Sequence, residues 1–184
     1  GLAYSAGRKG RFVSPKRLTY DICSMVSLTA NAEQENLDLT IRLLSIAEIK
    51  ADPALAAKLQ VEEGEDLYKY TRLFMIKGHP TFIEVEYAIA KLFPGLLDRD
   101  LSQSTTLLLE KHYNTYAHTG NILIRMRTLN EDEAELLGLA TYHAGIELEQ
   151  VICDNTGTPF CYDQQIWRGE LAEFSALAVV REKR

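Results

Sequence analysis

The sequence predicts an α+β domain built on a largely antiparallel sheet of about six strands. The main observation is a duplication. A short helix, an alternating strand, a turn ending x-Gly-x-Pro and a second alternating strand run from about Asp52 to Ile89, and again from about Asn130 to Trp167. Further alternating segments near residues 37–51 and 122–129 supply other strands. Each copy is too short to fold alone, so the two should share one core and form a cleft for a ligand.

The totals fit one ordinary domain. The chain has 184 residues, of which 46% are hydrophobic, and can bury a sizeable core. Its net charge of -6 argues against a nucleic-acid surface over the whole protein, so any DNA contact must be local. The three cysteines form no CxxC pair and no cluster with the four histidines, which favours a reduced, cytoplasmic protein and predicts no metal or cofactor. No run approaches the roughly 20 apolar residues of a membrane span.

The first twenty residues differ in character from the rest. The segments GLAYS and RFVSP flank AGRKG, which predicts two short strands around a Gly-rich basic turn. This pattern alone fits an ordinary surface hairpin equally well. Residues 15–17 then lead into a linker, and because the chain begins at Gly1 rather than Met, we expect a piece of a longer protein.

The next segment predicts a short helix followed by a strand. Thr29 or Asn31 could cap the helix, and Asn31 has capping-box spacing to Gln34. The apolar run at residues 37–51 is ambiguous between strand and helix, but the following Asp52-Pro53 favours a strand. Asp52 can cap the first repeat's helix, and Pro53 suits its first position.

Inside the first repeat the two strands are predicted at Leu67–Ile76 and Thr81–Ile89. Alternation places Phe82, Glu84 and Glu86 on one face of the second strand. A three-residue loop would set Arg72 opposite Glu84 and Phe74 opposite Phe82. A two-residue loop would put Arg72 and Glu84 on opposite faces.

The remaining elements follow in order. A turn at Pro94-Gly95 precedes a helix from about Ser102 to His112, with Ser102 or Ser104 as its N-cap. The start of such a helix suits an anion, although a serine that only caps the helix explains the pattern as well. The strand at residues 122–129, the second repeat and a last strand within residues 174–184 complete the domain.

Candidates for chemistry are few. The sequence has no GxSxG, HExxH, P-loop or Rossmann motif, so we predict no catalytic residue and no enzyme. Arg72 and Glu84 stand out because they are charged positions in strands rich in apolar neighbours. They form either an exposed cross-strand ion pair or a binding site. Arginine holds a carboxylate or phosphate in two bonds, so the pair suits a polar, anionic small molecule.

These residues resemble the UTRA effector-binding domain of GntR-type transcription regulators of the HutC subgroup, over almost the whole chain. GRKGRFV is similar to the G-x-G-T-F-V wing of the family's winged helix-turn-helix. The matching motifs within the domain are Arg72-Leu73, Gly78-x-Pro80, Glu84-x-x-Tyr87, Phe93-Pro94-Gly95-Leu96, Ser104, Leu109-Glu110, Gly157-x-Pro159, Tyr162 and Arg168-Gly169. Each motif is short, and their order and spacing carry the resemblance.

The resemblance implies a chorismate lyase-like fold, a homodimer, and a domain that senses a small metabolite and controls operator binding. It divides the chain into residues 1–17, a remnant of the wing with its linker, and residues 18–184, the effector domain. Arg8, Lys9 and Gly10 would contact DNA, but only as part of the full-length protein. A chorismate lyase-type enzyme acting on a small carboxylate is the alternative, and the basic wing favours the regulator. A pure dimerisation module is a third possibility.

The resemblance also implies roles for single residues. Arg72 would hold the effector's anionic group and Glu84 its polar body, and Ser104, Trp167 and Thr29 would complete the site. Sugar-phosphate-sensing members often have Arg, Tyr and Glu where this chain has Phe74, Thr106 and Cys161. A smaller or more hydrophobic carboxylate or phosphonate is therefore as good a candidate as a phosphate.

Overall fold

The structure is a computed structural model that describes residues 3–5, 11–13, 18–22 and 37–177. Its centre is a six-stranded sheet in which every neighbouring pair is antiparallel, as the sequence predicts. Its strands are β4 (Leu39–Lys50), β5 (Asp66–Ile76), β6 (His79–Ile89), β7 (Thr119–Thr128), β8 (Ala144–Cys153) and β9 (Pro159–Arg168). Across the sheet they stand in the order β4-β5-β6-β9-β8-β7.

Three α-helices accompany the sheet in the described part of the chain: α1 (Pro53–Leu59), α2 (Thr105–Tyr113) and α3 (Glu131–Leu137). Asp52 caps α1 by accepting from the Leu55 N–H over 2.8 Å, and Asn130 starts α3 with a capping box. Of the two predicted N-caps of α2, the structure has Ser104, and the helix begins at Thr105 rather than near Ser102. Asp100 instead accepts the Ser102 N–H and hydroxyl, which holds that serine in the preceding turn.

The duplication is visible in the topology. The unit β4-α1-β5-β6 is repeated as β7-α3-β8-β9, and the copies meet where β6 pairs with β9, from Phe82 opposite Trp167 to Ala88 opposite Cys161. Each αββ copy found in the sequence therefore includes one preceding strand. The ambiguous run at residues 37–51 is β4, an edge strand, and β7 is the other edge.

Of the two loop lengths that the sequence leaves open between β5 and β6, the structure has the two-residue loop, yet it also has the Arg72–Glu84 pairing expected from three residues. The loop has two residues, Lys77 and Gly78, both with positive φ. Phe74 lies opposite Phe82 and Met75 opposite Pro80, so Thr81 is an extra residue in β6. This β-bulge restores the alternation that a two-residue loop would otherwise have reversed. Arg72 is consequently opposite Glu84.

The two faces of the sheet are covered differently. On the helix face, α1 and α3 bury Leu59 and Leu137 against the strands. On the other face, called here the cluster face, α2 and its preceding turns pack around Tyr70 at one end. At the other end a parallel pair, β3 (Leu18–Asp21) and β10 (Ala172–Ser175), packs against Trp167. Charged side chains fill the sheet surface between these two apolar groups.

A separate antiparallel pair, β1 (Ala3–Ser5) with β2 (Arg11–Val13), agrees with the predicted N-terminal hairpin. The residues of its turn, Arg8, Lys9 and Gly10, lie outside the described residues, as does the helix predicted near Thr29. The last strand predicted within residues 174–184 overlaps β10 (Ala172–Ser175) only at its start, and residues 178–184 lie outside the described residues.

Candidate functional site

Arg72 lies at the centre of the cluster face. Its side chain is buried, and all five of its N–H groups donate inside the protein. Nε donates to Glu84 Oε2 over 2.8 Å, and Nη2 donates to the same oxygen and to Glu86 Oε2 over 2.9 Å. Nη1 donates to the carbonyls of Leu101 and Gln103 over 3.2 and 2.8 Å. Arg72 therefore pairs two carboxylates and also fixes the loop that leads into α2.

Glu86 connects this pair to α2. Its Oε2 accepts from Thr105 Oγ1 over 2.8 Å, and Thr105 Oγ1 accepts from the Tyr70 hydroxyl over 3.2 Å. Its Oε1 accepts from the Cys161 thiol over 2.8 Å. Burial, assisted by the Glu86 charge, raises the pKa of Tyr70 and of Cys161 well above the ordinary values. Both groups therefore keep their protons and serve as donors.

Asp163 and Gln165 stand on β9, opposite Glu86 and Glu84 of β6. Gln165 Nε2 donates to Asp163 Oδ2 over 2.7 Å and, more weakly, to Glu84 Oε1 over 3.4 Å. Gln165 Oε1 accepts from Trp167 Nε1 over 2.9 Å. The second carboxylate oxygen, Asp163 Oδ1, is buried and has no hydrogen-bond partner. Among these described side chains, Asp163 Oδ1 is the one carboxyl oxygen without any hydrogen bond, and Glu84 Oε1 has only the weak contact with Gln165.

We call Arg72, Glu84, Glu86, Asp163 and Gln165 the charged cluster. It holds three carboxyl groups and one guanidinium, none more than 6% exposed. Burial raises the pKa of Asp163 well above its ordinary value, and the charges of Glu84 and Glu86 raise it further. Burial also raises the pKa of Glu84, against the opposing effect of Arg72. Three ionised carboxylates beside one cation are unfavourable here, so the ligand-free cluster keeps a proton on Asp163.

Asp163→Asn is expected to stabilise the ligand-free protein at neutral and alkaline pH. The pKa of an Asp side chain in an unfolded chain is about 3.9. The folded pKa is raised, so the stabilising contribution is complete below that pH and is lost as the pH rises toward the folded value. Asparagine cannot ionise and keeps an acceptor for Gln165. The variant should therefore gain about 1–3 kcal/mol above about pH 7 and little below about pH 4.

Urea unfolding at a series of pH values measures this difference. Asp132→Asn, an exposed position at the start of α3, removes the same charge outside the cluster and should leave the pH profile unchanged. A loss of stability in Asp163→Asn at alkaline pH would mean that the folded protein holds Asp163 as a paired, ionised carboxylate.

An aromatic stack borders the charged cluster. Phe82 stacks on Phe74 and on Trp167, with ring centroids 4.2 and 4.0 Å apart. Trp167 is fully buried and also contacts Tyr20 of β3 and Phe174 of β10, at 5.8 and 5.3 Å between centroids. The stack therefore connects the cluster to β3, the strand closest in sequence to the N-terminal hairpin.

The structure brings most of the predicted site residues together. Arg72 pairs with Glu84, Phe74 and Trp167 lie in the stack, and Cys161 donates to Glu86 in the cluster. Trp167 lies in the hydrophobic core, because its side chain is fully buried among aromatic rings.

The α2 residues lie beside the same cluster. Ser104 caps the helix, accepting from the Leu107 N–H over 3.4 Å. Thr106 in the first turn lines a crevice of about 10 Å³ that it shares with Glu86 and Cys161. That volume has room for about one water molecule. Thr29 lies outside the described residues, so its predicted role stays a prediction.

Sequence reasoning did not place Glu86, Thr105, Asp163 and Gln165 in the site. A signal for Asp163 was available, because the repeat aligns it with Glu84. The contact of Thr105 with Glu86 depends on how α2 docks on the sheet, which no local pattern predicts.

A second charged group, on the helix face, shows how a purely structural network differs. Glu147 and Glu149 on β8 are buried, and three cations pair with them: Arg125, Arg127 and Lys58. Arg127 also pairs with Glu133 of α3, so three cations balance three carboxylates, and the bonds tie β7 and α1 to β8 and α3 to β7. The charged cluster has the opposite balance, with more carboxyl groups than cations.

Comparison with known proteins agrees with this architecture. The family model described as the UTRA domain matches residues 34–173, most of the chain. The chain belongs to the UTRA family. The predicted relationship to the effector domain of GntR-type regulators is thereby confirmed, and the interpretation as a regulator is favoured over the enzyme alternative.

Individual relatives match this chain over most of its length. The uncharacterized HTH-type transcriptional regulator YydK of Bacillus subtilis is 24% identical over 174 residues, which is 95% of this chain and 74% of the relative. The crystal structure of PhnF from Mycobacterium smegmatis superposes with a TM-score of 0.87 at 21% identity, covering 98% of this chain and 79% of that chain. The effector domain of PhnF alone gives a TM-score of 0.83, covering 89% of this chain and all of the other at 21% identity. These likenesses confirm the expected fold.

In the part of the chain that the structure describes, no helix has both the length and the apolar character needed to cross a membrane.

Proposed function

We propose that this UTRA domain binds a small-molecule effector at the charged cluster and, within a bacterial regulator, controls operator binding by a winged helix-turn-helix. The observation that carries the proposal is Asp163 Oδ1, a buried polar atom without a partner next to an otherwise satisfied network. Such an atom is costly in a finished core and is explained by a ligand group that completes it. We propose no reaction, and the effector should be recovered unchanged.

We propose that the effector's anionic group, a carboxylate, phosphonate or phosphate, binds at the start of α2. Ser104 and Thr106 lie there. Ser104 takes the Leu107 N–H, whereas the Thr105 and Thr106 N–H groups, as first-turn donors, have no carbonyl of the same helix to bond. Arg72 contributes its positive charge and holds the preceding loop through Gln103. Glu84 and Cys161, with Phe74 and Trp167, would contact the rest of the molecule, and Thr29 would join the anion site.

Effector entry on the α2 side requires movement, because the crevice there holds about one water molecule. A ligand shifts an equilibrium only through its different affinity for the two states. We propose that the effector moves the start of α2 and that the aromatic stack transmits the change to β3. Residues 1–17 would be the wing and linker, with Arg8, Lys9 and Gly10 against DNA, and residues 18–184 the effector domain of a cytoplasmic homodimer.

The test is thermal unfolding of the chain with a panel of small metabolites, followed by operator binding of the intact regulator with the metabolite found. An effector at 100 times its dissociation constant should add about 2.7 kcal/mol to the free energy of unfolding. The same compound should change operator affinity. A panel member that stabilises the chain and leaves operator binding unchanged would contradict the regulatory role, and consumption of the compound would indicate an enzyme.

A further inference from the structure

The charged cluster has unused acceptors and no unused side-chain N–H donors. Arg72 donates all five of its N–H groups within the protein, and Gln165 and Trp167 donate theirs to Asp163, Glu84 and Gln165. The open positions are carboxyl oxygens: Asp163 Oδ1 has no partner, and Glu84 Oε1 has only the 3.4 Å contact with Gln165. Once Asp163 gives up its proton, Oδ1 is an acceptor, so the ligand atom that completes the ionised site is a donor.

The two open oxygens belong to groups that lie close together. Gln165 Nε2 donates to both carboxyl groups, so Asp163 and Glu84 both lie within hydrogen-bond reach of one nitrogen. The charge balance also favours a donor that carries a positive charge, because three carboxyl groups face one guanidinium. On the helix face, where the network is structural, three cations pair with three carboxylates, those of Glu133, Glu147 and Glu149.

We propose that the effector carries a protonated amine, or a related amidine or guanidine cation, which donates to Asp163 Oδ1 and lies against Glu84. With the anionic group at α2, the effector would be a zwitterion of the amino-acid or amino-phosphate type. This inference rests on the proposed function, since it names the chemical class of the effector at the same site.

The surroundings of Asp163 suit an organic cation. Tyr20 and Trp167 lie on the β3 side of the cluster, and an aromatic face attracts an ammonium group. The titratable groups beside the pair are Glu86, Arg72, Cys161 and Tyr20. The pKa of the Tyr20 hydroxyl is raised by burial and by the Asp163 and Glu84 charges. No group of three or more His, Cys, Asp or Glu residues in the described ranges has the arrangement of a metal site. An anion facing Asp163 would add charge to a cluster already rich in carboxylate.

Crystals of the full 184-residue chain soaked separately with ethylammonium and with ethyl phosphate test this directly. Ethylammonium should bind with its nitrogen within hydrogen-bond distance of Asp163 Oδ1, and titration in solution should show at least about tenfold weaker binding to Asp163→Asn. Asp132→Asn should bind as the unaltered chain does. Affinity should rise with pH, because the cation replaces the proton held by Asp163.

Ethyl phosphate in contact with Asp163 Oδ1, equal binding of ethylammonium to Asp163→Asn, or an unoccupied cluster in both soaks would each overturn the inference. These failures differ from failure of the proposed function. A metabolite without a cationic nitrogen that binds the cluster and changes operator affinity would remove the amine and leave the sensor. Ethylammonium bound at Asp163 in a protein whose operator binding responds to no metabolite would support the amine site and contradict the proposed regulatory function.

Discussion

Arg72→Ala should destabilise the chain by about 3–5 kcal/mol, the usual cost of removing one partner from a buried ion pair. Glu84 and Glu86 would lose the guanidinium that pairs with both of them, and both are buried. The carbonyls of Leu101 and Gln103 would lose their donor as well, so the loop before α2 would no longer be held to the sheet.

Urea unfolding measures this loss, and Arg42→Ala is the matched control. Arg42 lies on the neighbouring strand opposite Leu73 and is exposed, so its removal should cost less than about 0.5 kcal/mol. Arg72→Met combined with Glu84→Gln and Glu86→Gln should recover much of the loss, because no unpaired charge then remains. A single Arg72→Ala variant as stable as the unaltered chain would show that the cluster carboxyl groups do not depend on this pairing.

Trp167→Ala should also cost about 3–5 kcal/mol, as large aromatic truncations in cores do. Trp167 is fully buried, stacks on Phe82 and contacts Tyr20 and Phe174, so its removal opens a cavity between the sheet and the β3–β10 pair. Trp167→Phe keeps a ring in the stack but leaves Gln165 Oε1 without its donor, and should lose less.

Chemical denaturation of both variants measures these losses. A loss below about 1 kcal/mol for Trp167→Ala would contradict the packing role of this ring between the sheet and the β3–β10 pair. If the stack also transmits the effector state, Trp167→Phe should keep effector binding and show a smaller response at the operator.

The fold was largely predictable because the strands alternate strictly and occur twice. The period-two pattern predicted which side chains share a face within each of β5 and β6, and Asp52-Pro53 marked the end of an ambiguous apolar run. Loop length was not predictable in the same way. Thr81 has no feature that reveals a bulge, and one extra residue changes the face of every residue beyond it.

The site was predictable only in part, for a related reason. Charged residues in apolar strands reveal themselves by contrast, which found Arg72 and Glu84. The main-chain acceptors at Leu101 and Gln103 carry no signal in the sequence, because any residue offers a carbonyl. The repeat aligns Asp163 with Glu84, but the lack of a hydrogen-bond partner at Asp163 Oδ1 depends on how side chains from other strands pack around it.

The most direct test of the central claim is a crystal structure of the chain with the effector identified by thermal unfolding. The effector should lie between Asp163, Glu84 and the start of α2, with a donor atom on Asp163 Oδ1. An effector bound elsewhere, for example in the groove of about 400 Å³ beside α1 that Lys58, Asn121 and Tyr162 line, would contradict it.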